Sequence, residues 1–193
     1  MAIANQGTKR NIEGLIEDKQ FDERVLHIDR VARVVKGGRR FRFRALVVVG
    51  DHKNKVGIGI AKGTDVTTAV SKATDVAKKH IETISLYKGT LPHESEAKVS
   101  GAHILVKPAS LGTGLIAGGV VRTILEVAGI KNALSKSLGS NNKSNIAYAT
   151  INALLAVQPK NNWVTNNSPK TATKPSAKST STKTAKANKK EQS

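Results

Sequence analysis

The sequence predicts an α+β chain, with an N-terminal three-stranded antiparallel sheet carrying one helix and a small C-terminal α/β unit with two helices. Strict two-residue alternation through residues 40–60 marks strands. Apolar residues recurring every three or four positions in 66–81, and twice more after 118, mark helices. Glycines and polar turns punctuate the segments between them.

Residues 1–20 show no sustained apolar period and are expected to form a mobile arm or short helix. From Phe21, the series Val25, Leu26, Ile28, Val31 and Val34 reads as a first strand, broken near Asp29-Arg30 by a bulge. In the second strand Phe41, Phe43, Ala45, Val47 and Val49 fall on one side, expected to face a core, and Arg40, Arg42 and Arg44 on the other. A Lys36-Gly37-Gly38-Arg39 tip joins these two strands, and the polar turn Asp51-His52-Lys53-Asn54 leads to a third through Val56, Ile58 and Ile60. The third strand's other side holds only Lys55, Gly57, Gly59 and Ala61, a bare surface suited to close approach of another backbone. Thr64-Asp65 caps a helix with Val66, Ala69, Val70, Ala73, Val76, Ala77 and Ile81 on one face. It closes on Lys78, Lys79 and His80, cations at the negative end of its dipole.

The spacing divides the chain into an arm (1–20), a first domain (21–81), a linker (82–91), a second domain (92–157) and a basic tail (158–193). In the second domain a short strand covers 102–106, and a helix from about Gly118 buries Val121, Ile124, Leu125 and Ala128 before stopping at Gly129. Residues 131–139 form a strand or loop. A last helix opening at Asn142 or Ser144 buries Ile146, Thr150, Ala153, Leu154 and Val157. The tail has eight lysines, one acid and three prolines, too little apolar surface to order itself.

Charge narrows the function. The chain carries +18, from 32 Lys+Arg and 14 Asp+Glu. Residues 30–62 alone hold ten Lys/Arg against one acid, Asp51. Neighbouring arginines on one strand face repel unless an anion covers them, and arginine suits forked phosphate contact. Nucleic acid is therefore the expected partner, with a solvated sheet face as the plainer alternative. No apolar run approaches the ~20 residues that span a bilayer, so no membrane role is expected. The absence of cysteine excludes disulfides and thiolate metal sites, and fits a cytoplasmic protein. No signal or transit pattern is read at the N-terminus.

Catalytic readings are weaker. Gly112-Thr113-Gly114-Leu115-Ile116-Ala117 matches a G-x-G-x-x-A dinucleotide fingerprint, yet no acid occurs between Glu126 and Glu191 to hold a ribose. A tight structural turn, or a backbone loop against phosphate, fits better. His27, His52, His80, His93 and His103 lack ligand spacing, and the pairs Asp22/Glu23 and Glu94/Glu96 lack a companion nucleophile. Trp163 could stack on a base, although an inert position is the simpler reading. No enzyme, no cofactor, no metal and no small-molecule substrate are expected.

In order along the chain stand Phe21-Asp22-Glu23-Arg24-Val25, Val34-Val35-Lys36-Gly37-Gly38-Arg39-Arg40-Phe41, Val48-Val49-Gly50-Asp51 and Val56-Gly57-Ile58-Gly59. Pro92-His93-Glu94, Lys107-Pro108-Ala109-Ser110, Gly112-Thr113-Gly114, Ile116-Ala117-Gly118-Gly119 and Ser137-Leu138-Gly139-Ser140 follow. This series, covering about 20–157, resembles the bacterial small-subunit ribosomal protein five family. The resemblance implies a double-stranded-RNA-binding-like first domain and a second domain with a left-handed crossover. It further implies rRNA binding, contact with small-subunit proteins four and eight, a place lining the mRNA entrance, and influence on decoding accuracy.

By that match RNA contact falls on Lys36, Gly37, Gly38, Arg39 and Arg40, with Arg42, Arg44, Lys53 and Lys55 added from the strand pattern. Leu111, Ala61 and Lys143 depart from the family's usual Pro, Gly and Pro, while His52 and Asn54 stand where Gly is frequent. The helix at Asp65 begins with an acid and no lysine. Binding is therefore expected from hairpin and strands, with arbitrary duplex RNA a poor ligand.

Overall fold

The computed structural model describes residues 21–159; the arm, Trp163 and the tail from residue 160 lie outside the described residues. Strands β1 (Asp22–Val35), β2 (Gly38–Gly50), β3 (Lys55–Gly63) and β4 (Ile81–Thr83) form one antiparallel sheet in that order. Helix α1 (Val66–Lys79) joins β3 to β4. The sheet thus has four strands where three were expected. The extra one is a three-residue edge pairing Ile81 with Gly57 and Thr83 with Lys55, too short to show an alternation in sequence.

Helix α1 lies on β3 because β3 offers almost no side chain there. A Cβ on Gly59 would run into the Ala73 carbonyl and stand 2.6 Å from the Ala77 nitrogen, and one on Gly57 would strike the Ala77 carbonyl. Ala69, Ala73 and Ala77 close this contact over Ala45, Val47 and Val49 of β2. The helix begins at Asp65, whose N–H donates to the Thr68 hydroxyl at 3.2 Å.

The alternation of β2 holds, but its aromatic end joins the core only through Phe43. Phe43 is half-buried and Phe41 remains 50% exposed. Pairing with β3 ends at Phe43–Gly63, so beyond this point β1 and β2 continue as a two-stranded ribbon past the helix. Phe41 packs instead under the Arg30 guanidinium, 4.0 Å from its ring centre. The irregularity in β1 falls between Val25 and His27 rather than at Asp29-Arg30. There the extra residue, Leu26, packs against the shared core.

The second sheet comprises β5 (Ser95–Val99), β6 (Ala102–Pro108), β7 (Leu115–Ile116) and β8 (Ala133–Ser137), ordered β5-β6-β8-β7. Only the β7–β8 pair is parallel, its ends joined through helix α2 (Gly119–Val127). Helix α3 (Lys143–Leu155) follows, with the Asn142 side chain accepting from the Ser144 N–H at 3.2 Å. β5 and β7 escape a sequence reading: β5 is mostly polar, and β7 has two residues inside a glycine run.

Leu46, Val48, Val56 and Ile58, on the face of the first sheet turned away from α1, share one core with Ile104, Val106, Val121, Ile124, Leu125 and Leu154. The first sheet is therefore buried on both faces at this end. Helix α3 buries residues almost all round, including Ile146, Ala149, Ile151 and Leu154, as a helix between two layers must. Ile84 and Leu91 anchor the joining segment 82–91 in the same core. Two polar groups buried there are satisfied: the Ser95 hydroxyl donates to the Ala153 carbonyl and that of Thr150 to the Ile146 carbonyl, both at 2.8 Å.

Candidate nucleic-acid interface

The β1–β2 ribbon closes through Lys36-Gly37, with Val35 paired to Gly38. Gly37 adopts φ +94°, a conformation that a side chain would strain, so the tip needs glycine there. From the tip, register decides the chemistry. Arg33 lies opposite Arg40, Val31 opposite Arg42, and Lys62 opposite Arg44. Paired residues share a face, and so Arg33, Arg40, Arg42 and Lys62 line one shallow groove of about 260 Å³ with Val31, Ala32 and Val35. No acid lines it. None of the four cations has an ion-pair partner among the described residues. The opposite face of the ribbon presents Arg39, opposite Val34, together with the Arg30–Phe41 stack.

Arg44 differs. It sits directly across from Asp29, donating to Oδ2 from Nη2 at 2.6 Å and from Nε at 3.1 Å. The Arg44 hydrogen bonds hold the Asp29 carboxyl below its ordinary range, with His27 at 2.8 Å adding to this. A guanidinium so engaged is partly neutralised within the protein.

Lys36, Gly37, Gly38, Arg39, Arg40 and Arg42 are thus brought together, and Arg44 stands next to them, already paired. Lys53 and Lys55 are not part of the cluster. They lie at the far end of the first sheet, about 40 Å from the tip for twelve extended steps along β2. Their backbone N–H groups, with that of Asn54, converge on Asp51 Oδ1 at 2.8–3.1 Å. Burial pushes the Asp51 carboxyl up, but these N–H donors outweigh it and hold it low. Arg33 and Lys62 are the groove residues that the sequence reading left out. Numbering the strand pairs outward from the Lys36-Gly37 turn would have placed Arg33 opposite Arg40.

At that far end the first sheet is tied to α2. Arg24 bonds Glu126 at 2.6 Å and Asp22 at 3.0 Å, and Arg122 bonds Glu126 at 3.1 Å. The Arg122 and Arg24 hydrogen bonds hold Glu126 below the usual carboxylate range. His52, at φ +55°, places Nδ1 2.8 Å from the Glu126 carbonyl and Nε2 3.0 Å from Asp22. His52 thus links the turn after β2 to both α2 and β1 while its side chain stays about half exposed.

The glycine run proves to be a fixed turn. The Asn132 Oδ1 accepts from the Gly112 and Gly114 N–H groups at 3.2 and 3.0 Å, so these amides are already occupied. A dinucleotide would need such groups to face its pyrophosphate. Among the described residues, no cluster of three or more His, Asp or Glu is arranged to hold a metal.

Two family models match the chain in succession: "Ribosomal protein S5, N-terminal domain" over residues 21–85 and "Ribosomal protein S5, C-terminal domain" over 97–162. Proteins named "Small ribosomal subunit protein uS5" from Treponema pallidum subsp. pallidum and from Treponema pallidum (strain Nichols) are each 50% identical over 139 residues. That match covers 72% of this chain and 81% of theirs. The first match carries the sheet with the basic ribbon and the second carries the α2–α3 layer, and on both together the chain belongs to the ribosomal protein S5 family.

Proposed function

We propose that this chain is a structural, non-catalytic component of the small ribosomal subunit in the cytoplasm, and that it binds small-subunit rRNA through the β1–β2 ribbon. The observation that supports it most is the acid-free groove of Arg33, Arg40, Arg42 and Lys62 beside the Lys36–Arg39 tip. Four cations on one face, with no ion-pair partner among the described residues, repel one another until a polyanion covers them. Phosphates satisfy that need, and the side-chain-free glycines at the tip let RNA backbone approach closely. With this reading go its finer parts: contacts to small-subunit proteins four and eight, a position lining the mRNA entrance, and an influence on decoding accuracy. The double-stranded-RNA-binding-like character of the first sheet and a left-handed β7–α2–β8 crossover belong to it as well.

Competition between small-subunit rRNA and an arbitrary duplex of equal length tests it. Clear preference for the rRNA is expected, and Arg40→Ala with Arg42→Ala should flatten the slope of log affinity against log salt by about 0.7–0.9 per lost phosphate contact. Equal affinity for both RNAs would replace this reading with a general duplex-binding module.

A further inference from the structure

The outer stripe of α3 leads into a cleft. Tyr148, Ile151, Asn152 and Leu155 recur at three- and four-residue spacing and so share one side of the helix. Tyr148 and Leu155 are each 42% exposed. On its outer edge β3 pairs with β4 only from Lys55 to Gly57, and beyond that point a cleft of about 270 Å³ opens at Ile58, between α1 and α3. Ile58, Val76 and Ile151 give it apolar walls, while Glu82, Tyr148 and Asn152 bring polar groups to it. Among the described residues Glu82 has no ion-pair partner, and neither the Tyr148 hydroxyl nor the Asn152 amide has a hydrogen-bond partner. His80, also in the lining, is already engaged, its Nδ1 2.8 Å from the Val76 carbonyl.

The chain itself supplies an occupant. Past α3 the Gln158 N–H donates to His93 Nε2 at 2.9 Å, and Pro159 has no N–H with which to carry the helix on. Trp163, the chain's one tryptophan, stands five residues after Gln158 and, with Val164, is all the large apolar surface between 158 and 193. Five extended residues reach about 17 Å, whereas Tyr148 to Leu155 spans about 10 Å of helix. We infer that the first residues of the tail fold back along α3 over Leu155 and seat the Trp163 indole in this cleft. The ring packs on Ile58, Val76 and Ile151, and its N–H donates to the Glu82 carboxylate or the Asn152 side-chain oxygen, since a buried indole N–H needs an acceptor. Seated there, it covers an open edge of the shared core. RNA fits the cleft poorly, because Glu82 repels phosphate. A free ligand fits it poorly too, because the cleft is smaller than the roughly 300–1,000 Å³ of small-molecule sites and a tethered side chain competes at millimolar effective concentration. The inference does not depend on the ribbon's RNA contact.

Fluorescence of the full-length chain tests it, since there is a single tryptophan to watch and no cysteine to interfere with labelling. Trp163 in the native protein should emit well to the blue of the urea-denatured chain and resist acrylamide quenching, at every protein concentration and without RNA. A bimane label on Lys79→Cys, an exposed α1 position beside Val76 and His80, should brighten about two-fold or more when Trp163→Leu removes the quencher tethered against it. The same label on Arg33→Cys, at the ribbon, should not respond to Trp163→Leu. Asn152→Phe, an exposed position whose new ring fills the cleft, should expel the indole, moving its emission to the red and brightening the Lys79→Cys label; circular dichroism checks that the variant is folded. Denatured-like emission from the native chain overturns the inference, as does a Lys79→Cys label indifferent to Trp163→Leu or emission unmoved by Asn152→Phe. A blue shift that appears only on adding small-subunit rRNA, or only as protein concentration rises, overturns it in favour of a base or a second copy as the partner of Trp163.

Discussion

Asp29 and Arg44 allow the phosphate reading of the ribbon to be tested from both directions. Arg42 has no ion-pair partner among the described residues, so Arg42→Ala should remove one complete phosphate contact. The salt slope then falls by about 0.7–0.9, and across a four-fold rise in salt from 50 to 200 mM the variant should lose about three-fold less affinity than the parent. Arg44 already spends two donors on Asp29, at 2.6 and 3.1 Å. Arg44→Ala should therefore leave the slope close to the parent's, lowering affinity only through the carboxylate it exposes. Asp29→Asn should act oppositely, releasing Arg44 and steepening the slope by up to the same 0.7–0.9. The pair is half-exposed, so its loss should cost the fold no more than about 1 kcal/mol, and a thermal melt checks that each variant is folded. Filter binding or fluorescence anisotropy with an rRNA fragment, at five or six salt concentrations, gives the slopes. Should Arg44→Ala flatten the slope as much as Arg42→Ala, or Asp29→Asn leave it unmoved, the idea that internal pairing withholds Arg44 from RNA is wrong.

Two further outcomes concern stability. Gly59→Ala should lower the melting temperature by roughly 2–12 °C, because its Cβ meets the α1 backbone at Ala73 and Ala77 and forcing atoms into a packed interface costs about 1–3 kcal/mol. Gly119→Ala, with open space around its Cβ, should be neutral or mildly stabilising; equal effects would refute the close-approach account. Asp29, Asp51 and Glu126 all have folded-state values held below their ordinary 3.8, 3.8 and 4.5. A depressed carboxylate contributes stability that is whole above its unfolded value and is lost as pH falls through the folded one. Urea denaturation should accordingly show stability declining below about pH 4.5, and Glu126→Gln should shrink that decline. A variant with an undiminished acid loss would show that the Arg24–Glu126–Arg122 cluster carries none of it.

Residue order alone determined a good deal of this protein. The alternation from Arg40 to Val49, the bare Gly57–Gly59 surface, the α1 alanine stripe and the caps at Asp65 and Asn142 all survive, because period and capping are local properties of the backbone. The density of arginines with few acids nearby was equally visible. What folding alone decided was which charges meet. Cross-strand register gathered Arg33 and Lys62 into the groove, gave Arg44 to Asp29, and carried Lys53 and Lys55 to the opposite end. Helix length decided that Phe41 would lie outside the core: α1 spans only about 21 Å, while the ribbon runs on past it. The positions of β4, β5 and β7 depended on partners distant in the chain, and His52 became a joint only when α2 packed beside it. Periodicity tells which side of an element is apolar; only long-range packing tells what comes to lie against it.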